Sequence, residues 1–174
     1  MRALVADGLT LEPLVRAHAA EMFDVLSDPA LYAFDGAPPE SVEQLFARYA
    51  CLESRSSPEG MALWLNWVLR LPDGALAGYV QATVLPTDVC FVAYVLGSAH
   101  WRRGLASAAV RAMLVELRTH YGVRRFVAVL KEANHRSHAL LNRLGFTPAD
   151  SVERALYSSL SDELVMAVDA GPAG

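Results

Sequence analysis

The amino-acid sequence predicts a mixed α/β (α+β) domain with a mostly antiparallel sheet of about six to seven strands, flanked by about four helices. Three observations carry this. Two apolar runs, 61–71 and 75–85, flank Pro72-Asp73-Gly74, which reads as two strands joined by a tight antiparallel hairpin. A helical pattern over 104–121 separates apolar strands 90–96 and 125–130, so this pair is joined by a crossover and runs parallel, right-handed by default. The chain has 174 residues, 53% hydrophobic and 20% charged, which suits one packed domain held without disulfides or metal.

The remaining elements follow in order. Residues 9–14 read as a strand and 15–26 as a helix that closes at the breaker Ser27-Asp28-Pro29. A second helix over 41–53 follows Pro38-Pro39, and the polar run 54–60 is a loop. In the helix 104–121, Ala106, Val110, Met113, Leu114 and Leu117 share a face and Gly122 supplies the stop. A helix over 133–144 ends at Gly145, and strands are expected near 147–150 and 164–168 with an unassigned segment between them.

Composition excludes several classes of function. A net charge of −4 argues against a nucleic-acid module, which would gather a basic excess on one face. No apolar run approaches the ~20 residues needed to cross a bilayer, so no membrane role is expected. The opening residues lack an apolar signal-peptide core, and the two cysteines, Cys51 and Cys90, lack metal-ligand spacing. The expectation is a soluble, cytoplasmic protein with reduced thiols. His135 and His138 are three apart on a helix with no third ligand evident, so no metal site is expected.

The chemistry is concentrated at Tyr94-Val95-Leu96-Gly97-Ser98-Ala99-His100-Trp101-Arg102-Arg103-Gly104-Leu105-Ala106-Ser107: a strand, a short loop of small residues, then a helix. A helix N-terminus offers unpaired backbone N–H groups and a positive dipole end to a phosphate, and glycine lets the ligand come close. Arg102 and Arg103 add attraction for an anion. The bland alternative is a capped core helix. In a second segment, Asn134, Ser137, Leu141 and Leu144 fall on one inward stripe, so two polar side chains point inward and need partners. Helix capping by Asn134 and small-residue packing by Ser137 explain them equally well.

These two blocks resemble a known family. Arg103-Gly104-Leu105-Ala106 preceded by Trp101 resembles the pyrophosphate loop of GNAT acetyltransferases, written Q/R-x-x-G-x-G/A, with Trp101 where Gln or Arg usually stands. The stretch from Ala93 to Ala106 is similar to the RimJ/RimL-type branch of ribosomal-protein N-terminal acetyltransferases. Asn134 to Phe146 resembles that family's N-x-x-S-x-x-x-x-x-x-L-G-F segment, and the likeness runs over about 8–169, in outline only in the first half. It implies the GNAT fold, with a splayed parallel pair at the centre of the sheet, and acetyl-CoA as co-substrate. Tyr94, Val95, Leu96, Trp101, Arg102, Arg103, Gly104, Leu105, Ala106, Ser107, Asn134 and Ser137 would then bind the cofactor.

The reaction so implied is direct attack of a neutral primary amine on the thioester. Backbone N–H groups near Val95 and Leu96 would hold the oxyanion, and Ser137 would serve the departing thiolate as acid or stabiliser. Asn134 would bond the pantetheine arm or order a water. Many relatives carry a Glu where Phe91 stands, and strand 90–96 holds no carboxylate. The base is therefore unassigned, with Asp88 and Glu132 the nearest candidates, both read as solvent-facing. For the acceptor, Tyr32 and Phe34 lie in a loop expected over the substrate. Trp64 and Asn66 share one strand face and Leu65 and Trp67 the other, so Trp64 and Trp67 are candidates to line the acceptor cleft as well as the core. A peptide or small-molecule amine is the expected partner, and a homodimer is compatible with the chain. The rival function is a non-catalytic acyl-CoA-binding sensor or interaction module, favoured by the missing strand carboxylate.

Overall fold

A computed structural model describes residues 1–158 and 160–171. Eight strands form one sheet in the order β1-β2-β3-β4-β5-β6-β8-β7. They are β1 (Leu4–Ala6), β2 (Leu9–Pro13), β3 (Leu63–Arg70), β4 (Leu76–Val84), β5 (Val89–Leu96), β6 (Arg125–Lys131), β7 (Thr147–Pro148) and β8 (Glu163–Asp169). The α-helices are α1 (Ala19–Leu26), α2 (Val42–Glu53), α3 (Leu105–Tyr121), α4 (His135–Arg143) and α5 (Ser151–Tyr157). Every strand pair is antiparallel except β5–β6, which α3 connects. No helix among the described residues is long and apolar enough to cross a membrane.

The sheet has one strand more than expected and the fold one helix more. Strand β1 has only three residues, too few to show periodicity, and exists through its pairing with β2, Leu4 opposite Leu11. Helix α5 fills the unassigned segment. Its N-cap Asp150, which accepts from the N–H groups of Val152 and Glu153, falls in the stretch 147–150 expected as a strand, of which only Thr147–Pro148 pairs. The helix has no apolar stripe to read, because Val152 and Leu156 face solvent. The first helix starts at Ala19 rather than residue 15, after a 3-10 turn over Arg16–His18.

Alternation along the strands builds two cores. Leu65, Trp67 and Leu69 of β3 join Val92 and Leu96 of β5 in packing against Leu105, Ala109, Met113 and Leu117 of α3 and Leu140 and Leu141 of α4. On the opposite face Val68 and Leu76 pack against Met22 and Leu26 of α1 and Leu45 and Tyr49 of α2. Further along that face α5 covers Val127 and Val165, with Phe91 meeting Tyr157 edge-on at 5.0 Å between ring centroids.

The site lies where the central pair parts. β5 and β6 pair only at Val89, Cys90 and Phe91, and β6 then continues alone against β8. Beyond Phe91, Ala93 of β5 is exposed and Val129 of β6 is 37% exposed, although both sit mid-sheet. The backbone of residues 92–96 thus has one edge without a neighbouring strand. On its other edge β4 presses close. A Cβ on Gly78 would overlap the Val95 carbonyl oxygen, so only glycine allows this approach.

Candidate active site

The loop after β5 delivers the chain to the N-terminus of α3. Arg102 and Gly104 both take left-handed backbone, at φ 62° and 79°, and Gly104 caps the helix without any side-chain bond. Ala108 N–H is the first to bond back into the helix, to the Gly104 carbonyl, so the N–H groups of Leu105, Ala106 and Ser107 point outward. A Cβ on Gly104 would meet no protein atom within 4 Å, so the space above this turn is open. The turn is braced by Trp101, whose indole N–H donates to the Leu96 carbonyl at 2.7 Å. Arg136 of α4 lies 3.7 Å over its ring centroid, a cation–π contact that ties the two loops together.

A cleft of about 740 Å³ runs from this turn along β5 to α4. Tyr94, Val95, Leu96, Trp101, Arg102, Gly104, Leu105, Ala106, Ser107, Asn134 and Ser137 all line it. Its charged residues are Arg102, Arg136 and Arg143, with His100 beside them and no carboxylate in the lining. Arg103 departs from this set. It is exposed, outside the lining, and its guanidinium meets His100 Nδ1 at 3.3 Å. The reason is that a left-handed Arg102 followed by a left-handed Gly104 turns the intervening side chain outward.

Asn134 caps α4, its Oδ1 accepting the Ser137 N–H at 3.2 Å. Ser137 is half-buried, and its carbonyl accepts the Tyr94 hydroxyl at 3.3 Å. Burial pushes the Tyr94 phenol above its ordinary pKa, against the opposing pull of its bond to Ser137 and of Arg143, so it remains an O–H donor. Capping and inward placement of Asn134 and Ser137 therefore coexist.

A second cleft, of about 750 Å³, opens on the α1/α2 face. Leu31 and Val95 line both clefts, so the two meet at the splayed end of β5. Asp28 sets the loop that carries Leu31: its carboxylate accepts from Ala30 N–H and Ser98 N–H, and the Ser98 side chain first, then the Ala30 N–H, hold it below the usual carboxylate range. Tyr32 lines the second cleft and donates its hydroxyl to the Leu26 carbonyl at 2.8 Å. Phe34 lines the first cleft instead, at 37% exposed.

The two tryptophans are placed differently from a cleft lining. Trp67 is fully buried on the α3 face, with its indole N–H donated to the Arg2 carbonyl at 2.9 Å, so it is a core residue. Trp64 is half-buried near the start of β3, its N–H donating to the Arg55 carbonyl, and lines neither cleft. Asp88 sits at the far end of β5, roughly 20 Å of strand from Val95. Glu132 is exposed, 3.9 Å from Arg154. Neither lines a cleft.

Sequence reasoning missed Arg136, Arg143, Tyr49 and Gln81. Arg136 carried a signal, since it lies inside the second block. Tyr49 carried none, because an aromatic on an amphipathic helix reads as core.

A conserved-family model for the acetyltransferase (GNAT) domain matches residues 8–147, and the chain belongs to the GNAT acetyltransferase family. Solved structures agree on the fold. RimJ of Mycobacterium smegmatis, in complex with CoA-disulfide, superposes with a TM-score of 0.78 at 20% identity, covering 97% of this chain and 86% of its own. RimL, a ribosomal L7/L12 α-N-protein acetyltransferase in complex with coenzyme A, gives 0.79 at 18%, covering 93% and 94%. A GNAT-family acetyltransferase from Bacillus anthracis gives 0.77 at 13%, covering 98% and 99%. No curated protein sequence matches the chain.

Proposed function

We propose that the chain works as a single-domain N-acetyltransferase of RimJ/RimL-like type, moving acetyl from acetyl-CoA to the primary amine of a peptide or small molecule. The observation that carries the reading is the meeting of two clefts at Val95, one built for an anionic chain and the other open to an acceptor. The N–H groups at the start of α3 and Arg102 take the pyrophosphate. The unpaired edge of residues 92–96 takes the pantetheine amides by strand addition.

The amine enters along the second cleft and attacks the thioester carbon as a neutral nucleophile. Its C–N bond forms first, backbone N–H groups near Val95 and Leu96 hold the resulting tetrahedral oxyanion, and collapse of that oxyanion breaks the C–S bond and releases the thiolate. The Ser137 hydroxyl lies on the α4 side of the cofactor cleft, where it serves the departing thiolate as proton donor. No carboxylate lines the cofactor cleft, whereas Asp35 and Glu40 line the acceptor cleft, so the amine's proton leaves on the acceptor side toward solvent.

The test is thiol release from acetyl-CoA with a panel of short peptides and polyamines, each product identified by mass spectrometry. A new N-acetyl product with at least one amine is expected. CoA binding by calorimetry with no thiol release from any amine would leave a non-catalytic binding module.

A further inference from the structure

The acceptor cleft holds two polar groups that the reaction above does not use. Asn66 of β3 is 3% exposed and Tyr49 of α2 is 3% exposed, and both line the cleft. Among the described residues, neither Asn66 Nδ2 nor the Tyr49 hydroxyl has a hydrogen-bond partner. A buried donor without a partner costs roughly 1–3 kcal/mol, so in a folded chain each needs one from whatever enters the cleft.

The chemistry of the two groups says what kind of partner. Asn66 Nδ2 is a donor only. Burial raises the Tyr49 phenol well above its ordinary pKa, so at neutral pH it also carries its proton. Two donors suit an oxygen with two lone pairs, as in a carbonyl. An alkyl chain offers neither group a partner, and an ammonium group could donate to the Tyr49 oxygen but would leave Asn66 Nδ2 unpaired.

The sheet also gives the spacing. Asn66 stands opposite Gln81 of β4, and Gln81 stands opposite Ala93 of β5, so one row crosses the sheet to the open edge of the splay. Asn66 is therefore two strand spacings, roughly 10 Å, from the strand on which the thioester lies.

We propose that Tyr49 and Asn66 together determine acceptor specificity, by binding a carbonyl oxygen that the substrate carries some 8–10 Å from its reacting amine. The inference rests on the acetyltransferase reading and on the second cleft being the acceptor side. The substrate class is then an amine on a short peptide or an ω-amino amide, and simple alkyl amines are disfavoured.

The experiment compares 6-aminohexanamide with 6-methylheptylamine, which has the same skeleton without the amide and an amine of similar basicity. For the wild type, kcat/KM should favour the amide by roughly 10². Asn66→Leu and Tyr49→Phe should each lower kcat/KM for the amide at least tenfold and raise it for the alkyl amine. Their Tm should stay level or rise, because each removes an unpartnered buried atom rather than a packing group.

Saturation-transfer NMR of both amines with CoA bound reads the same preference without turnover. If the amide binds selectively but no amine is acetylated, the acetyltransferase reading fails and the recognition pair stands. Equal kcat/KM and equal binding of the two amines, or a preference that survives in both variants, would overturn the pair.

Discussion

At the scale of single residues the site depends on a short chain of contacts around Ser137. Its N–H is held by Asn134 and its carbonyl by Tyr94, so the hydroxyl is carried on a backbone fixed from both sides. If the hydroxyl acts on the departing thiolate, it matters mainly in the transition state. Ser137→Ala should then lower kcat by ~10² with little change in acetyl-CoA affinity, read by steady-state kinetics alongside calorimetry. An equal loss in both would make Ser137 a cofactor-positioning residue.

Among the elements, α3 contributes most to ligand binding, through its N-terminus. Gly104 combines a left-handed backbone with open space above it, and the two have different consequences. Gly104→Ala meets no protein atom, so its cost to the fold is the backbone strain of one left-handed alanine, about 1 kcal/mol. The added methyl nevertheless enters the space the pyrophosphate is proposed to occupy. CoA affinity should fall at least tenfold while Tm drops by only a few degrees, checked by calorimetry and thermal melts. Unchanged affinity would remove the phosphate role from this turn.

On the scale of the whole molecule, stability and function use opposite faces of β3. Trp67 packs on the α3 face and ties the N-terminal segment through the Arg2 carbonyl, whereas Asn66 looks into the acceptor cleft. Trp67→Ala should cost about 3–5 kcal/mol in denaturant unfolding through the cavity it leaves. Trp67→Phe, which keeps most of the volume but loses the indole donor, should lower Tm while leaving the acceptor KM within about twofold. A rise in acceptor KM out of proportion to the stability loss would return Trp67 to the cleft.

The sequence alone determined the hairpin around Pro72-Asp73-Gly74, the crossover helix and the residues at the start of α3, because each is a local pattern with a local physical cause. It also singled out Asn134 and Ser137 by their spacing on one helix. Which tryptophan is core was not legible, since alternation separates the faces of β3 without saying which face each helix covers. Nor was the outward turn of Arg103, which follows from the backbone of its two neighbours. The pairing of Tyr49 with Asn66 was least legible of all. Seventeen positions separate them along the chain, and only the packing of α2 onto β3 brings both to one cleft. Tertiary structure decided such relations because burial and partnership depend on what lies across a sheet face, which one-dimensional periodicity does not carry.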